Sequence, residues 1–395
     1  QGGISEIFAS EEDSNFIGGA NYQYLLNKAQ SGDAVKIILS GADTGTSALY
    51  EGMRIRISSG TGAGQYAKIQ NFREDIKQVL CENETNGEPG WEHVTGMPIV
   101  TALDDSSYYV IEPRVIIPEP GFAAANQTAP SEQPWSAVAY GSSGGFVTVA
   151  KNTATGAIST DGMAWSPLTF PTSGQWEAIG SAGGKYVVVA EDGNKALYSQ
   201  DGTTWASSTL PATLDWSDVE GDETGANWIA VGRTGDSTGT ASIARSTSSG
   251  SSWNTITVSV TADWASVAYG GGTFVMIQGG GNKAMYSTNS GSTWTETALP
   301  SSQEWNRVVY GNDRFVAVCE KDDSSRCPTA VSYDGITWFA GSMETGKWRD
   351  LAYNQGLFVA LHPLSDIVAY SRDGYSWTSK VSPDAKDWTG IAADN

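Results

Sequence analysis

The sequence feature that most constrains the fold is a tryptophan-led segment that recurs from Trp135 onward. Its six copies start about 40 residues apart, at Trp135, Trp176, Trp216, Trp264, Trp305 and Trp348. Each copy opens with a segment in which side chains alternate as in a β-strand, for example residues 264–269. An apolar run follows, as in 274–277, and then a third short segment, as in 284–287. A fourth segment opens on another tryptophan. Four short strands per repeat are typical of a β-propeller.

A recurring turn joins the third and fourth predicted strands of each repeat. Four copies read Ser-x-Asp-Gly-x-x-Trp, and two are one residue longer, one of them degenerate. The polar and aromatic positions are Asp161 and Trp165, Asp201 and Trp205, Trp253, Asn289 and Trp294, Asp334 and Trp338, and Asp373 and Trp377. The Asp or Asn side chain can accept from backbone N–H groups ahead of it, glycine permits a positive φ, and the indole fills space between sheets.

This turn resembles the Asp-box, or BNR, repeat over residues 135–384. The resemblance implies that the Asp-type positions are structural turn caps and that the fold is a propeller. We therefore predict an all-β chain. Residues 135–395 form an Asp-box propeller of six, alternatively seven, four-stranded blades. Residues 118–134 form a proline-rich linker with a possible closing strand.

Residues 1–117 lack the repeat and are predicted to form a separate, small β-rich barrel or sandwich. A short helix is expected over residues 21–30, where Tyr22, Leu25 and Leu26 share one face. Gly60, Gly62 and Gly64 lead into a strand-like segment rather than a helix, which favours a hairpin turn over a phosphate-binding loop.

Residues 52–66 resemble modules of bacteriophage virion proteins, particularly tail and fibre components. This resemblance implies a structural protein located in the virion or extracellularly, whose N-terminal domain docks to the particle. The implied partners are other virion proteins and a host-surface glycan or receptor, and an oligomer within the particle is expected. A purely architectural propeller is an alternative from the same class.

Charge excludes one class of partner. The chain carries 23 Lys and Arg against 44 Asp and Glu, for a net charge of −21. That surface repels phosphate backbones, so no nucleic-acid binding is expected. Apolar runs fall short of the roughly 20 residues that a membrane helix needs, so no membrane insertion is expected either.

Cys319 and Cys327 flank a loop between predicted paired strands and are candidates for a disulfide, the alternative being two independent thiols.

Catalytic signals are sparse, and no catalytic residue, cofactor or metal is assigned. His93 and His362 are the only histidines and both are interpreted as loop residues. Sialidases are also Asp-box propellers, which makes a secreted sialidase-like enzyme an alternative. Their Arg-Ile-Pro motif is absent, and although Arg307 and Arg349 take similar places after a tryptophan, no arginine trio stands out. Residues 218–223 are acidic, which raises a calcium hypothesis, but a solvated turn is the favoured interpretation.

Sequence variation among the repeats concentrates in the loops between second and third strands. Variable loops on a rigid scaffold commonly carry recognition. The binding candidates there are Asn194, Lys195, Asn282, Lys283, Asp322, Arg326 and His362. Lys195 and Lys283 occupy equivalent Gly-Asn-Lys-Ala positions in an acidic chain, where they could meet an acidic sugar or a partner's carboxylates. The alternative is that each Gly-Asn is a turn and each lysine keeps a strand edge soluble. The leading prediction is a non-enzymatic virion protein.

Overall fold

The computed structural model describes residues 131–394 apart from 234–242, 261, 321–326, 364 and 387–388, with backbone only at 365–366 and 382–386. Before residue 131 it describes the strands given below and the side chain of Ile55. The chain divides into two compact units. One is Ala9–Gly121, and the other combines Gln1–Phe8 with Phe122–Asn395.

The N-terminal unit contains one eight-stranded sheet. Its strands are β2 (Asn27–Lys28), β3 (Ser31–Gly32), β4 (Lys36–Ile38), β5 (Arg54–Ser59), β6 (Gln65–Arg73), β7 (Gln78–Glu82), β8 (Glu92–His93) and β9 (Tyr108–Glu112). The order is β2-β9-β5-β6-β7-β4-β3, with β8 on β6. Strands β5 and β6 are antiparallel neighbours, as a hairpin requires. The helix predicted over 21–30 is wrong at Asn27–Lys28, which pair with β9: sheet pairing outweighs the local helical pattern.

Two further strands flank this unit in the chain. Strand β1 (Ile4–Ser10) and strand β10 (Gly121–Gln127) form a two-stranded sheet. Most of β1 and nearly all of β10 belong to the propeller unit. Residues 9–121 are therefore inserted between two paired strands of the propeller unit, and the proline-rich stretch contains a strand that pairs with the start of the chain.

The tryptophan repeats fold into four antiparallel sheets. The first two comprise β11 (Trp135–Gly141), β12 (Gly145–Ser159), β13 (Ser166–Ala182), β14 (Lys185–Ala190), β15 (Lys195–Ser199) and β16 (Trp205–Thr209), then β17 (Asp215–Gly221), β18 (Trp228–Arg233), β19 (Ile243–Ser246) and β20 (Asn254–Thr255). The others comprise β21 (Trp264–Gly270), β22 (Thr273–Ser287), β23 (Thr295–Gly311), β24 (Arg314–Glu320), β25 (Cys327–Ser332) and β26 (Phe339–Met343), then β27 (Asp350–Asn354), β28 (Leu357–Leu361), β29 (Ser365–Ser371) and β30 (Thr378–Lys386).

The prediction of six or seven separate four-stranded blades is wrong, since the repeats occupy sheets of six, four, six and four strands. Fusion occurs at long strands. The first part of β13 pairs with β12, and from Trp176 the same strand pairs with β14. In the second repeat, by contrast, β16 ends at Thr209 and a separate strand, β17, begins at Asp215, so the sheet ends before the next repeat. Strand β23 joins two repeats in the same way.

The core lies between sheets and is organised by the repeated tryptophans. Five of them are essentially inaccessible: Trp176, Trp216, Trp264, Trp305 and Trp348. One apolar cluster packs Val187 of the second repeat against Trp216 and Trp228 of the third. Backbone contacts reinforce this packing, since Ser217 Oγ donates to Trp264 O of the following repeat at 2.7 Å.

The C-terminal segment 389–394 contacts both the last repeat and the first. Ile391 N donates to Asp350 Oδ2 at 2.9 Å, and Asn354 Nδ2 donates to Asp394 Oδ1 at 3.0 Å. On its other side, a Cβ built at Gly390 would lie 3.6 Å from Ala137 Cα. The segment therefore bridges the two ends of the repeat array, as ring closure requires.

Candidate functional site

The Asp-type side chains act within their own turns. Asp201 Oδ1 accepts from the backbone N–H groups of Thr203 at 2.8 Å and Thr204 at 2.7 Å, and from Ser199 Oγ. These donors favour the carboxylate and lower the pKa of Asp201 to about 2. Equivalent bonds from two successive backbone N–H groups are present at Asp161, Asp334 and Asp373.

In five of the six turns, the tryptophan that ends the turn donates a hydrogen bond to the carbonyl of the turn's glycine. Trp205 Nε1 donates to Gly202 O at 2.9 Å, and the same contact to the glycine carbonyl is made by Trp165, Trp253, Trp294 and Trp377. In the longer turn, Asn289 Oδ1 accepts from Thr293 N at 3.0 Å. Trp338 packs beside Phe315, with ring centroids 6.5 Å apart. All of these contacts lie within the scaffold.

Of the predicted loop residues, Lys195 begins β15 and Asn194 directly precedes it, whereas the loop expected around Asn282 and Lys283 is absent because both residues lie inside the continuous strand β22. Lys195 is exposed at the start of β15, and its Nζ donates to Ser173 O at 2.8 Å. Asn194 is exposed beside it, and its carbonyl accepts from Leu210 N. Asn282 is exposed and Lys283 half-buried, in the long strand β22. Lys195 and Lys283 belong to different sheets.

Other predicted binding residues have different surroundings. The half-buried His362 packs edge-on against Trp348, with ring centroids 5.5 Å apart, and its Nδ1 lies 2.7 Å from Pro363 O. Asp322 and Arg326 lie outside the described residues. The flanking Cys319 and Cys327 are both fully buried and are joined as a disulfide between β24 and β25, with Cα atoms 6.4 Å apart.

Lys151, in strand β12, is a cation whose charge is already neutralised by two carboxylates. Lys151 Nζ lies 2.6 Å from Glu177 Oε2 and 2.6 Å from Glu191 Oε2. Burial opposes the charged form, but the two carboxylates outweigh it and the pKa of Lys151 is raised. Among the described residues no carboxylate pairs with Lys195 in this way. A ligand carboxylate would therefore meet Lys195 more readily than Lys151.

A cluster of charged side chains, which we call the axial cluster, lies at the centre of the propeller. It consists of Asp218, Glu220, Ser266, Arg307 and Asp350. Arg307 Nη1 lies 2.7 Å from Asp218 Oδ1 and its Nε lies 3.0 Å from Asp350 Oδ1. Asp218 lies in the third repeat, Ser266 in the fourth, Arg307 in the fifth and Asp350 in the sixth, so the ion pair between Arg307 and Asp218 joins two repeats that are not neighbours in the chain. In a ring of repeats such a contact is possible only toward the centre.

Hydrogen bonds complete the axial cluster. Ser266 Oγ donates to Asp218 Oδ2 at 2.6 Å, and Val267 N donates to the same oxygen at 3.0 Å. Asp218 is thus only 2% exposed yet satisfied on both oxygens. Burial raises the pKa of Asp350, opposed by Arg307 and two backbone N–H groups. For Arg307 the carboxylates outweigh burial and raise its already high pKa.

Glu220 is the least stabilised member of the axial cluster. Burial raises its pKa to about 8, while the N–H of Gly221 and the charge of Arg307 lower it and the charge of Asp218 adds to the rise. The solvated turn predicted for 218–223 is therefore wrong for its first half. Asp218 is buried in strand β17. Only Asp222 caps a turn, accepting from Thr224 Oγ1 at 2.7 Å.

Sequence reasoning missed the axial cluster, although a signal was present. Asp218, Ser266, Arg307 and Asp350 each stand two residues after a repeat's opening tryptophan. The equivalent position is Ala137 in the first repeat and Ala178 in the second. Aligning the repeats at this position would have shown opposite charges facing one centre.

Two general features complete the description of the site. Among the described residues, no three His, Cys, Asp or Glu side chains are grouped so that they could hold a metal ion. Within the same residues, no helix is long enough and apolar enough to cross a membrane.

Comparison with solved structures shows a β-propeller. The β-propeller domain of Cps50 (Swd1) from Myceliophteria thermophila is 10% identical, with a TM-score of 0.51 over 66% of this chain and 90% of that one. A catalytically inactive virginiamycin B lyase from Staphylococcus aureus with quinupristin is 12% identical, with a TM-score of 0.54 over 64% and 86%. No family model matches the chain, and no curated protein matches it. At these identities the likeness establishes the fold alone.

Proposed function

We propose that this chain is a non-enzymatic structural and binding protein of a bacteriophage virion, in a tail, fibre or appendage. Its propeller binds an acidic host-surface glycan or a partner's carboxylates through the loop face, which we define by Asn194, Lys195, Asn282 and Lys283. The N-terminal unit docks to other virion proteins. The capped turns belong to the Asp-box type and serve as scaffold.

The observation that carries this proposal is the state of the lysines on the loop face. Lys195 is exposed and donates only to a backbone carbonyl among the described residues, at 2.8 Å from Ser173 O. Lys283 repeats the same sequence position in another sheet. In a chain of net charge −21, such cations offer the local attraction that an acidic ligand needs.

The arrangement of the arginines supports a non-enzymatic role. A sialidase-like site would require several guanidinium groups free to hold a substrate carboxylate. Arg307 is already paired with Asp218 and Asp350. Arg245 Nε donates to Ser290 O and Arg314 Nε to Asn312 O, so both groups serve the scaffold.

Two further observations support an extracellular particle protein. A buried disulfide joins Cys319 and Cys327, and such bonds persist mainly in oxidising environments. In addition, the phage-like segment 52–66 coincides with the antiparallel pair β5 and β6. Both ends of the inserted unit run into the paired strands β1 and β10. Two attachment points suit a unit that transmits load to a particle.

The test is a quadruple variant of the full chain, with Asn194, Lys195, Asn282 and Lys283 changed to alanine. We expect it to bind host cells and acidic glycans on an array at least about tenfold more weakly, because two cations are lost. Its melting temperature should change little, since three of the four side chains are exposed and exposed substitutions usually cost under about 0.5 kcal/mol.

The matched control changes exposed side chains at the opposite end of the sheets. Met163 and Ile336 are 49% and 40% exposed in capped turns. Connections alternate ends in an antiparallel sheet, so these turns face away from the loop face. Met163→Ala with Ile336→Ala should bind like the parent. Equal weakening by both variants, or no binding by the parent, would favour the purely architectural role.

A further inference from the structure

The C-terminal segment 389–394 lies where the first strand of a further repeat would follow the sixth. Ile391 stands three residues after a tryptophan, and its N–H donates to Asp350 Oδ2 in the preceding repeat at 2.9 Å. Val267 stands at the same place in the fourth repeat, and its N–H donates to Asp218 Oδ2 in the preceding repeat at 3.0 Å. The two hydrogen bonds are equivalent, so the segment is held as a first strand is held.

The packing around this segment is equivalent only in part. Ile391 packs against Leu361 and Val368 of the sixth repeat, just as Val267 shares an apolar cluster with residues of the third repeat. The cluster around Val267 also contains Phe274, from the second strand of its own repeat. Among the described residues, the cluster around Ile391 contains no such second-strand residue. The place of a second strand beside residues 389–394 is therefore not filled by the described part of the chain.

The sixth repeat is partly open on the side that faces this place. Val359 is half-buried. Its counterparts in the five earlier repeats, each following the aromatic residue of the second strand, are 0% exposed: Val147, Val187, Ile229, Val275 and Val316. The next repeat covers these counterparts, as Trp216 does in the cluster with Val187. No described strand pairs with residues 389–394, so an open apolar face adjoins a backbone segment without a strand partner.

We propose that this surface binds a β-strand of another polypeptide. We call it the closing edge and define it by Val359, Leu361, Val368 and segment 389–394. The partner strand pairs with residues 389–394 and covers Val359, as the second strand of a complete repeat does for the repeat before it. Strand addition of this kind takes its affinity from backbone hydrogen bonds and its specificity from alternate side chains.

The complete repeats indicate the chemistry of the partner strand. Their second strands place an aromatic residue before small and branched apolar residues, as in 358–361 and 315–318. In the third repeat, Trp228 and Ala230 face the second repeat, in one cluster with Val187. We therefore expect an apolar partner strand of about five or six residues, with an aromatic side chain directed at Val359.

The second strands of this chain do not themselves supply the partner. Each of the six is paired with the first strand of its own repeat. A second copy of the chain therefore has no free second strand to offer, which favours a different polypeptide.

The first test supplies a second strand in cis. A copy of residues 356–362 is appended after Asn395, where the resulting Asn-Gly pair favours a two-residue hairpin turn. We expect the extended chain to melt about 3 °C or more above the parent, because Val359 becomes covered. The control carries the same extension with its phenylalanine replaced by serine, and it should melt close to the parent. Equal melting temperatures for the parent and the extended chain would overturn the proposal.

The second test supplies the strand in trans. A fluorescent peptide with the sequence of residues 356–362 and a short polyethylene glycol tail is titrated with the full chain, and anisotropy measures binding. We expect saturable binding by the parent and at least about tenfold weaker binding by the extended chain, whose closing edge is filled. A scrambled peptide is the control and should not bind. Equal binding of the copied peptide by both chains, or binding by neither, would contradict the proposal. Dimerisation of the parent that the extension abolishes would also contradict it, because a second copy would then be the partner.

Discussion

At the residue scale, the two classes of tryptophan differ in burial and therefore in expected energetic weight. Trp216 is fully buried, and its Nε1 donates to Gly193 O at 3.1 Å. Trp205 is half-buried in its turn. We expect Trp216→Ala to destabilise the protein by roughly 3–5 kcal/mol, as emptying a large core site does, and Trp205→Ala by distinctly less. Chemical denaturation measures both. Equal losses would mean that burial does not determine how much each tryptophan contributes to stability.

At the element scale, the repeats allow Asp and Asn to be compared at the capping position of the turn, where the side-chain oxygen accepts backbone N–H groups. Asn289 already performs this role in one repeat. Asp201→Asn should therefore remain near parental stability at pH 7, whereas Asp201→Ala should lose about 1–2 kcal/mol, because two backbone N–H groups lose their acceptor. Thermal unfolding of the two variants decides this. If Asp201→Ala melts like the parent, the cap contributes nothing to stability.

The loss of stability in acid provides a second test of the same turn. The pKa of Asp201 is lowered to about 2 in the folded protein from a usual 3.8. Its stabilising contribution is therefore present above about pH 4 and is lost as pH falls toward 2. Because Asp201 is exposed, the effect is small. The parent should lose slightly more stability than Asp201→Asn between pH 4 and pH 2, and a steeper loss for the variant would contradict the cap.

At the scale of the whole molecule, the two units differ in continuity. Residues 9–121 form one unit from a single segment, whereas the propeller unit combines a segment before this insertion with one after it. Replacing residues 11–120 by a flexible Gly-Ser linker long enough to span β1 and β10 in either orientation lets the two strands pair and should leave a propeller that unfolds cooperatively. A chain that begins at residue 122 lacks β1 and exposes an edge of β10. We expect the second protein to melt lower and aggregate more readily, measured by calorimetry and light scattering. Equal behaviour would show that β1 is dispensable.

Much of the fold follows from short-range patterns in the sequence. The tryptophan period predicted the propeller, and the Ser-x-Asp-Gly spacing located the turns in which Asp161 and Asp373 now accept backbone N–H groups. These features depend on residues within one repeat, and alternation and turn chemistry act over a few positions. The function assigned to the loop face stays a proposal because exposed loops carry no such local constraint.

Tertiary structure decided what depends on contacts between repeats. Sequence alone determined where strands and turns would form, because each needs only its neighbours in the chain. It did not determine that β13 would fuse two repeats into one sheet, nor that β1 would pair with β10 across more than a hundred residues. Above all, only closure of the ring brings Asp218, Arg307 and Asp350 together. These charged residues are distant in sequence and become partners only because folding brings them close together. The pKa of Glu220 is raised for a related reason, since its burial exists only in the folded protein.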